Sequence, residues 1–138
     1  MILIDAGPLV ALISASDHHH AACRATLKRI DEPIFTVWPA FTEAMYLLRG
    51  YQPAQTVLWQ MVQREAVGFL QLTANDAYRM RQLMEKYHDL PMDLADAALV
   101  CVAEREKISR VFTLDRRDFS VYRPVGVGRF TILPSLRR

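Results

Sequence analysis

The segment ILIDAGPLVALI, residues 2–13, opens with three aliphatic residues and stops abruptly on an aspartate. A wholly apolar run of this length, without polar alternation, marks a strand buried on both faces. Asp5 and Gly7-Pro8 then turn the chain into a short helix carrying Leu9, Val10, Leu12 and Ile13. The same alternation recurs along the chain. Ile34–Val37 reads as a second strand, followed by a helix that begins at Pro39 and runs to about Arg49, where Gly50 stops it. Phe69–Leu72, Arg110–Leu114 and Phe130–Leu133 read as further strands. Between them lie helical segments from His18 to Ile30, from Pro53 to near Gly68, from Thr73 to His88 and from Leu94 to about Lys107. The last of these is rich in alanine and aliphatic residues, so burial around much of its circumference is expected. Strands alternating with helices define an α/β protein, a three-layer α/β/α sandwich around a mostly parallel sheet of four to five strands.

With 138 residues the chain has the size of one domain, residues 1–138. Hydrophobic residues at 51% and charged residues at 23% exclude a disordered or fibrous chain. The net charge of +2 is small, but arginine gathers toward the C-terminus at Arg110, Arg116, Arg117, Arg123, Arg129, Arg137 and Arg138. Guanidinium groups suit phosphate through their planar fork of donors, and such a run is either a nucleic-acid surface or an ordinary solvated one. Cys23 and Cys101 form no closely spaced metal or redox pair, which fits a reducing cytoplasm. The apolar opening lacks a basic start, carries Asp5 and is too short to span a bilayer, so neither a signal peptide nor a membrane anchor is expected.

Four acids stand where apolar runs stop or helices begin: Asp5, Glu43, Asp96 and Asp115. In open parallel sheets, ligands bind outside the carboxyl ends of the strands, where neighbouring connections leave toward opposite faces. Asp5 and Asp115 each follow a strand. If those strands are neighbours, their carboxylates emerge together, and helices entering from the same edge bring Glu43 and Asp96 beside them. Clustered carboxylates repel one another unless a cation holds them ionised, and an all-oxygen set favours Mg2+ or Mn2+. Such an ion activates water and neutralises charge on a phosphodiester. Three of the four also have plain structural roles: Asp96, with Asp93 as an N-cap, suits a first helical turn, Asp115 suits a turn, and Glu43 suits a solvated helix face. Asp5 resists that account, because an unpaired carboxylate beside a buried strand costs several kcal/mol.

His18, His19 and His20 are consecutive, so on a helix they point in different directions and cannot share one ion. Trp38 and Trp59 are expected to be buried rather than free for base stacking. A phosphoacceptor receiver domain would need paired acids after the first strand, and Asp5 has no acidic neighbour. A phosphatase with an Asp-x-Asp nucleophile fails because Gly7 occupies the second acidic position.

The segments around the acids resemble the PIN-domain family, most closely the VapC-type ribonuclease toxins of type II toxin–antitoxin systems. ILIDAGPLVALI is similar to that family's opening strand and helix, TEAMYLL to the helix that bears its glutamate, and PMDLADAALV and VFTLDRRDFSVYR to the segments with its later aspartates. The resemblance implies that Asp5 and Asp96 are the main Mg2+ ligands, with Mn2+ as a substitute, that Glu43 completes the acidic pocket, and that Asp115 holds the fourth acidic position. Asp93 and Asp118 are further acids nearby, and Ser120, Arg116 and Arg117 are candidates for phosphate contact. The implied activity is a metal-dependent endoribonuclease that inhibits translation until a cognate antitoxin protein binds it. The implied assembly is a homodimer, with residues 53–65 and 75–88 available as dimer or antitoxin surfaces. The alternative is a noncatalytic RNA- or protein-binding module that retains the pocket.

Overall fold

The computed structural model describes residues 1–136. Its sheet contains β1 (Ile2–Ile4), β2 (Ile34–Thr36), β3 (Gly68–Phe69), β4 (Arg110–Phe112) and β5 (Thr131–Leu133), in the order β3-β2-β1-β4-β5 with every pairing parallel. The helices are α1 (Ala6–Ile13), α2 (His20–Arg29), α3 (Trp38–Leu47), α4 (Gln52–Gln63), α5 (Ala74–Lys86), α6 (Leu94–Glu106) and α7 (Arg116–Phe119).

Alternate side chains of the strands feed two cores, as the period of two requires. Leu3 and Val111 point to one side, where they meet α6 residues Leu99, Val100 and Val102 together with Phe119 and Tyr122. Ile2, Ile4 and Phe112 point to the other, against Leu9 of α1, Phe41 of α3 and Leu58 of α4. Helices therefore cover both faces of an apolar sheet, giving the expected three layers. α6 is buried without interruption from Ala95 to Ala103, which is why its sequence shows no polar stripe.

Three local expectations change. β3 ends at Phe69 rather than Leu72: the Arg105 side chain donates to the Gln71 carbonyl at 2.7 Å, so that backbone oxygen is satisfied without a neighbouring strand. α7 was not legible, because four residues are too few for a helical stripe. Its start is nonetheless encoded, since the Asp115 carboxylate accepts the Asp118 N–H at 3.2 Å as an N-cap. Trp38 and Trp59 are 49% and 42% exposed rather than buried. Trp38 stacks flat on Phe69 with ring centroids 3.9 Å apart, and Trp59 leans on Phe41. Each indole thus packs on an aromatic ring and leaves part of its surface to solvent.

Candidate metal centre

The switch in strand order falls between β1 and β4: the chain moves from β1 outward to β2 and β3, then returns to add β4 and β5 on the opposite flank. Ile4 sits opposite Phe112 in the register, and the Asp5 N–H donates to the Phe112 carbonyl at 2.9 Å. Asp5 is therefore the first residue past β1 at this crevice, and Asp115 follows three residues past β4. Together with Glu43, Asp93, Asp96 and Asp118 they line a hollow of about 350 Å³, whose remaining walls are Gly7, Leu47, Pro91 and Leu114. The four acids expected from the sequence thus share one hollow. Asp96, Asp115 and Asp118 approach most closely, with one oxygen from each within 4.8 Å of the others.

Backbone and side-chain donors fix the acids individually. Asp5 caps α1: its Oδ1 accepts the Ala6 N–H at 2.8 Å, while Oδ2 accepts the Thr113 hydroxyl at 3.0 Å. The same threonine oxygen accepts the Asp115 N–H at 3.1 Å, so one side chain on the β4 exit ties Asp5 and Asp115 together. Asp93 caps α6 by accepting the Asp96 N–H at 2.9 Å. Asp96, in the first turn of that 13-residue helix, accepts the buried Tyr122 hydroxyl at 2.7 Å. The positive ends of α1 and α6 both face the hollow and favour negative charge there. Glu43 lies on the exposed side of α3 at the rim.

Electrostatically the hollow is one-sided. Asp5 and Asp96 are each only 8% exposed, and among the described residues none of the six acids forms an ion pair with a basic side chain. Burial pushes the Asp96 carboxyl up to about 8, with the charge of Asp5 adding to the rise. Burial likewise raises Asp5 against the lowering effect of its Ala6 and Thr113 hydrogen bonds. Glu43 is raised by desolvation and then by Asp5, and Asp118 by desolvation and then by Asp115. Two buried carboxylates, ringed by four more whose charge is offset, among the described residues, only by exposed Arg117 near Asp118, fit a divalent cation with oxygen ligands.

Residues 2–123 match the PIN domain family. The chain belongs to that family. Within it, this PIN-domain chain is similar to Ribonuclease VapC26 of Mycobacterium tuberculosis, with 31% identity over 137 residues, covering 96% of this chain and 100% of the relative. Its fold is similar to the crystal structure of Mycobacterium tuberculosis VapC20, described as a sarcin-ricin loop cleaving toxin, with a TM-score of 0.74 at 16% identity, over 80% of this chain and 87% of that one. It is also similar to a toxin–antitoxin complex from Klebsiella pneumoniae, with a TM-score of 0.68 at 17% identity, over 88% and 92% of the two chains. These last two likenesses concern the fold. The PIN-domain match ends at Arg123, so it takes in every acid of the hollow as well as Tyr122.

Asp118 belongs to the tightest triple, yet in the sequence it stands only as a further acid near the four. Its signal was the spacing Asp115-x-x-Asp118, the pattern of an N-cap followed by an acid at the third helical position. Among the phosphate candidates, Arg116 donates to the Pro134 carbonyl at 2.6 Å and the Ser120 hydroxyl to the Arg117 carbonyl at 2.7 Å, so both are engaged within the fold. Arg117 is exposed and lies close enough to Asp118 to lower its pKa against the other influences. In the C-terminal arginine run, Arg110 pairs with Glu32, Arg123 donates to the Ser120 carbonyl, and Arg137 and Arg138 lie outside the described residues. No helix among the described residues is long and apolar enough to cross a membrane.

Proposed function

We propose that this PIN-domain chain is a Mg2+- or Mn2+-dependent endoribonuclease, the toxin of a type II toxin–antitoxin pair. The observation that carries the reading is the burial of Asp5 and Asp96, unpaired, within one hollow of six carboxylates at the sheet's switch point. Its full-length likeness to Ribonuclease VapC26 supports RNA as the substrate class.

In this reading Asp5 and Asp96 are the principal ligands, Asp115 is the third, and Glu43 completes the set from the rim; these four are the catalytic acids. The bound ion would lower the pKa of a water and offset charge on the phosphodiester. The chain's own part is orientation. Thr113 holds Asp5 and Asp115 at a fixed separation, the α6 N-terminus holds Asp96, and Asp118 extends the acidic wall toward Arg117. Leu47, Pro91 and Leu114 complete the walls around the acids.

Two apolar surfaces border the hollow and support the partner assignments. One runs from exposed Trp38 and Tyr46, beside Glu43, across Leu94 to Met80 and Met84 of α5. The other, lined by Ile13, Leu48, Tyr51, Ala54 and Val57, meets the hollow at Leu47. We assign the two together to a second copy of the chain and an antitoxin, without dividing them between the partners. These surfaces fall within or beside the 75–88 and 53–65 segments singled out from the sequence.

The deciding experiment incubates purified protein with structured RNAs, with and without Mg2+. Cleavage by wild type that disappears in Asp96→Asn, a variant that preserves shape and removes charge, is the expected result. RNA binding without cleavage at any metal concentration would instead identify a noncatalytic module.

A further inference from the structure

We propose that Tyr122 is a metal-selectivity residue: by holding Oδ2 of Asp96 it leaves that carboxylate one oxygen for an ion and biases the hollow toward a small octahedral cation such as Mg2+ over Ca2+. This rests on the reading of the hollow as a divalent-cation site. Tyr122 is 0% exposed, and its hydroxyl donates to Asp96 Oδ2 at 2.7 Å across 26 residues of sequence.

The hydroxyl has little freedom to leave. The Tyr122 ring is wedged edge-on between Tyr87 and Phe119, with centroids 5.0 and 5.1 Å away. Its backbone N–H donates to the Asp118 carbonyl at 3.1 Å, and the next residue's N–H donates to the Tyr87 hydroxyl at 3.0 Å. A buried phenol that abandons its partner loses a charge-assisted hydrogen bond, so the bond persists while Asp96 is ionised.

The consequence follows from coordination chemistry. Ca2+ takes six to eight oxygens and readily accepts a carboxylate through both of its atoms, whereas Mg2+ demands near-ideal octahedral geometry with one oxygen per ligand. Two-atom binding requires Asp96 to turn both oxygens to the ion, and the bond to Tyr122 fixes its rotation against that. Asp5 differs in having a donor at each oxygen, Oδ1 on the Ala6 N–H and Oδ2 on Thr113, which fixes its rotation but does not single out one oxygen. The selective constraint therefore falls on Asp96.

The test is made on the whole chain without RNA, so it is independent of cleavage. Mn2+ bound to wild type and to Tyr122→Phe is followed by electron paramagnetic resonance while Mg2+ or Ca2+ displaces it. In wild type Mg2+ competes better than Ca2+; in Tyr122→Phe the preference shifts toward Ca2+ by about tenfold, within the range typical for loss of a group that orients a metal ligand. Tyr87→Phe loosens the same aromatic cluster without touching Asp96 and should leave the ratio unchanged. An unchanged ratio in folded Tyr122→Phe overturns the inference while the cation site stands. Failure of wild type to bind Mn2+ overturns the site itself and the inference with it. If Tyr122→Phe does not fold, the carboxylate stretches of Mg2+-loaded wild type, assigned by difference against Asp96→Asn, decide: a two-oxygen signature for Asp96 refutes the inference and a one-oxygen signature sustains it.

Discussion

Without a divalent ion, this protein should become less stable as pH rises, and Asp96 should be a main reason. Its carboxyl stands at about 8 in the folded chain against 3.8 for an ordinary aspartate. Between those values the native state holds a proton that the unfolded state has released. Stability therefore falls with rising pH across that window, and the loss is complete once the pH passes the folded value. Each unit of difference corresponds to about 1.4 kcal/mol, so the whole window amounts to roughly 6 kcal/mol as an upper figure, of which the part above pH 5 is about 4 kcal/mol. For a chain of this length about 1 kcal/mol moves Tm by roughly 3 °C, which makes the effect on the order of 10 °C. The assay is thermal unfolding of chelator-treated protein from about pH 5 to about pH 9, repeated with saturating Mg2+ and with Asp96→Asn. Asp96→Asn keeps the shape and cannot ionise, so its curve should be flatter than wild type and should lie above it at the alkaline end. Some slope should survive in the variant, because burial also raises Asp5. Mg2+ should lift the wild-type curve most at alkaline pH, by about 2.7 kcal/mol at a hundredfold excess over its Kd. Parallel curves for wild type and Asp96→Asn in the absence of metal would show that Asp96 holds no extra proton in the folded chain.

Thr113→Val removes the donor to Asp5 and the acceptor for the Asp115 N–H, and should cost about 1.5–3 kcal/mol in chemical denaturation as well as weakening Mn2+ binding. Gly68→Ala places a Cβ 2.9 Å from the Phe35 ring at the sheet edge, so denaturation should show a loss of about 1–3 kcal/mol with RNA cleavage retained. Leu99→Ala, in the core beneath the sheet, should cost about 2–5 kcal/mol by the same measurement. Cells induced to make wild type should stop growing, and cells making Asp5→Asn should not; equal growth arrest, read as culture density, would count against the proposed ribonuclease.

The layered fold was readable because its strands are buried on both faces: ILI and VF carry no alternation, and the unbroken apolar surface of α6 announces a helix packed on nearly every side. Asp5 was readable for the related reason that a charge directly after a buried strand needs a partner, whereas Asp115 also suits the turn and N-cap role it fills. Other parts were hidden by distance along the chain. Tyr122 meets Asp96 only because α6 and the segment after α7 lie on the same side of the sheet, and nothing within either segment marks the pair. Asp118 was obscured by the brevity of α7, and Arg116 offers no local sign that its guanidinium is spent on the Pro134 carbonyl. The tryptophans went the other way. Apolar size argued for burial, but four aromatic rings packing on one another near the β3 edge leave indole surface exposed.

In the proposed ribonuclease, carboxylates far apart in sequence hold one divalent ion at the carboxyl edge of β1 and β4. Anomalous diffraction from crystals soaked in Mn2+ tests it directly. A peak is expected inside the hollow at roughly 2.1–2.3 Å from one oxygen each of Asp5 and Asp96, with Asp115 bound directly or through water. A hollow without a peak at saturating Mn2+, or a peak held by other residues alone, would contradict it.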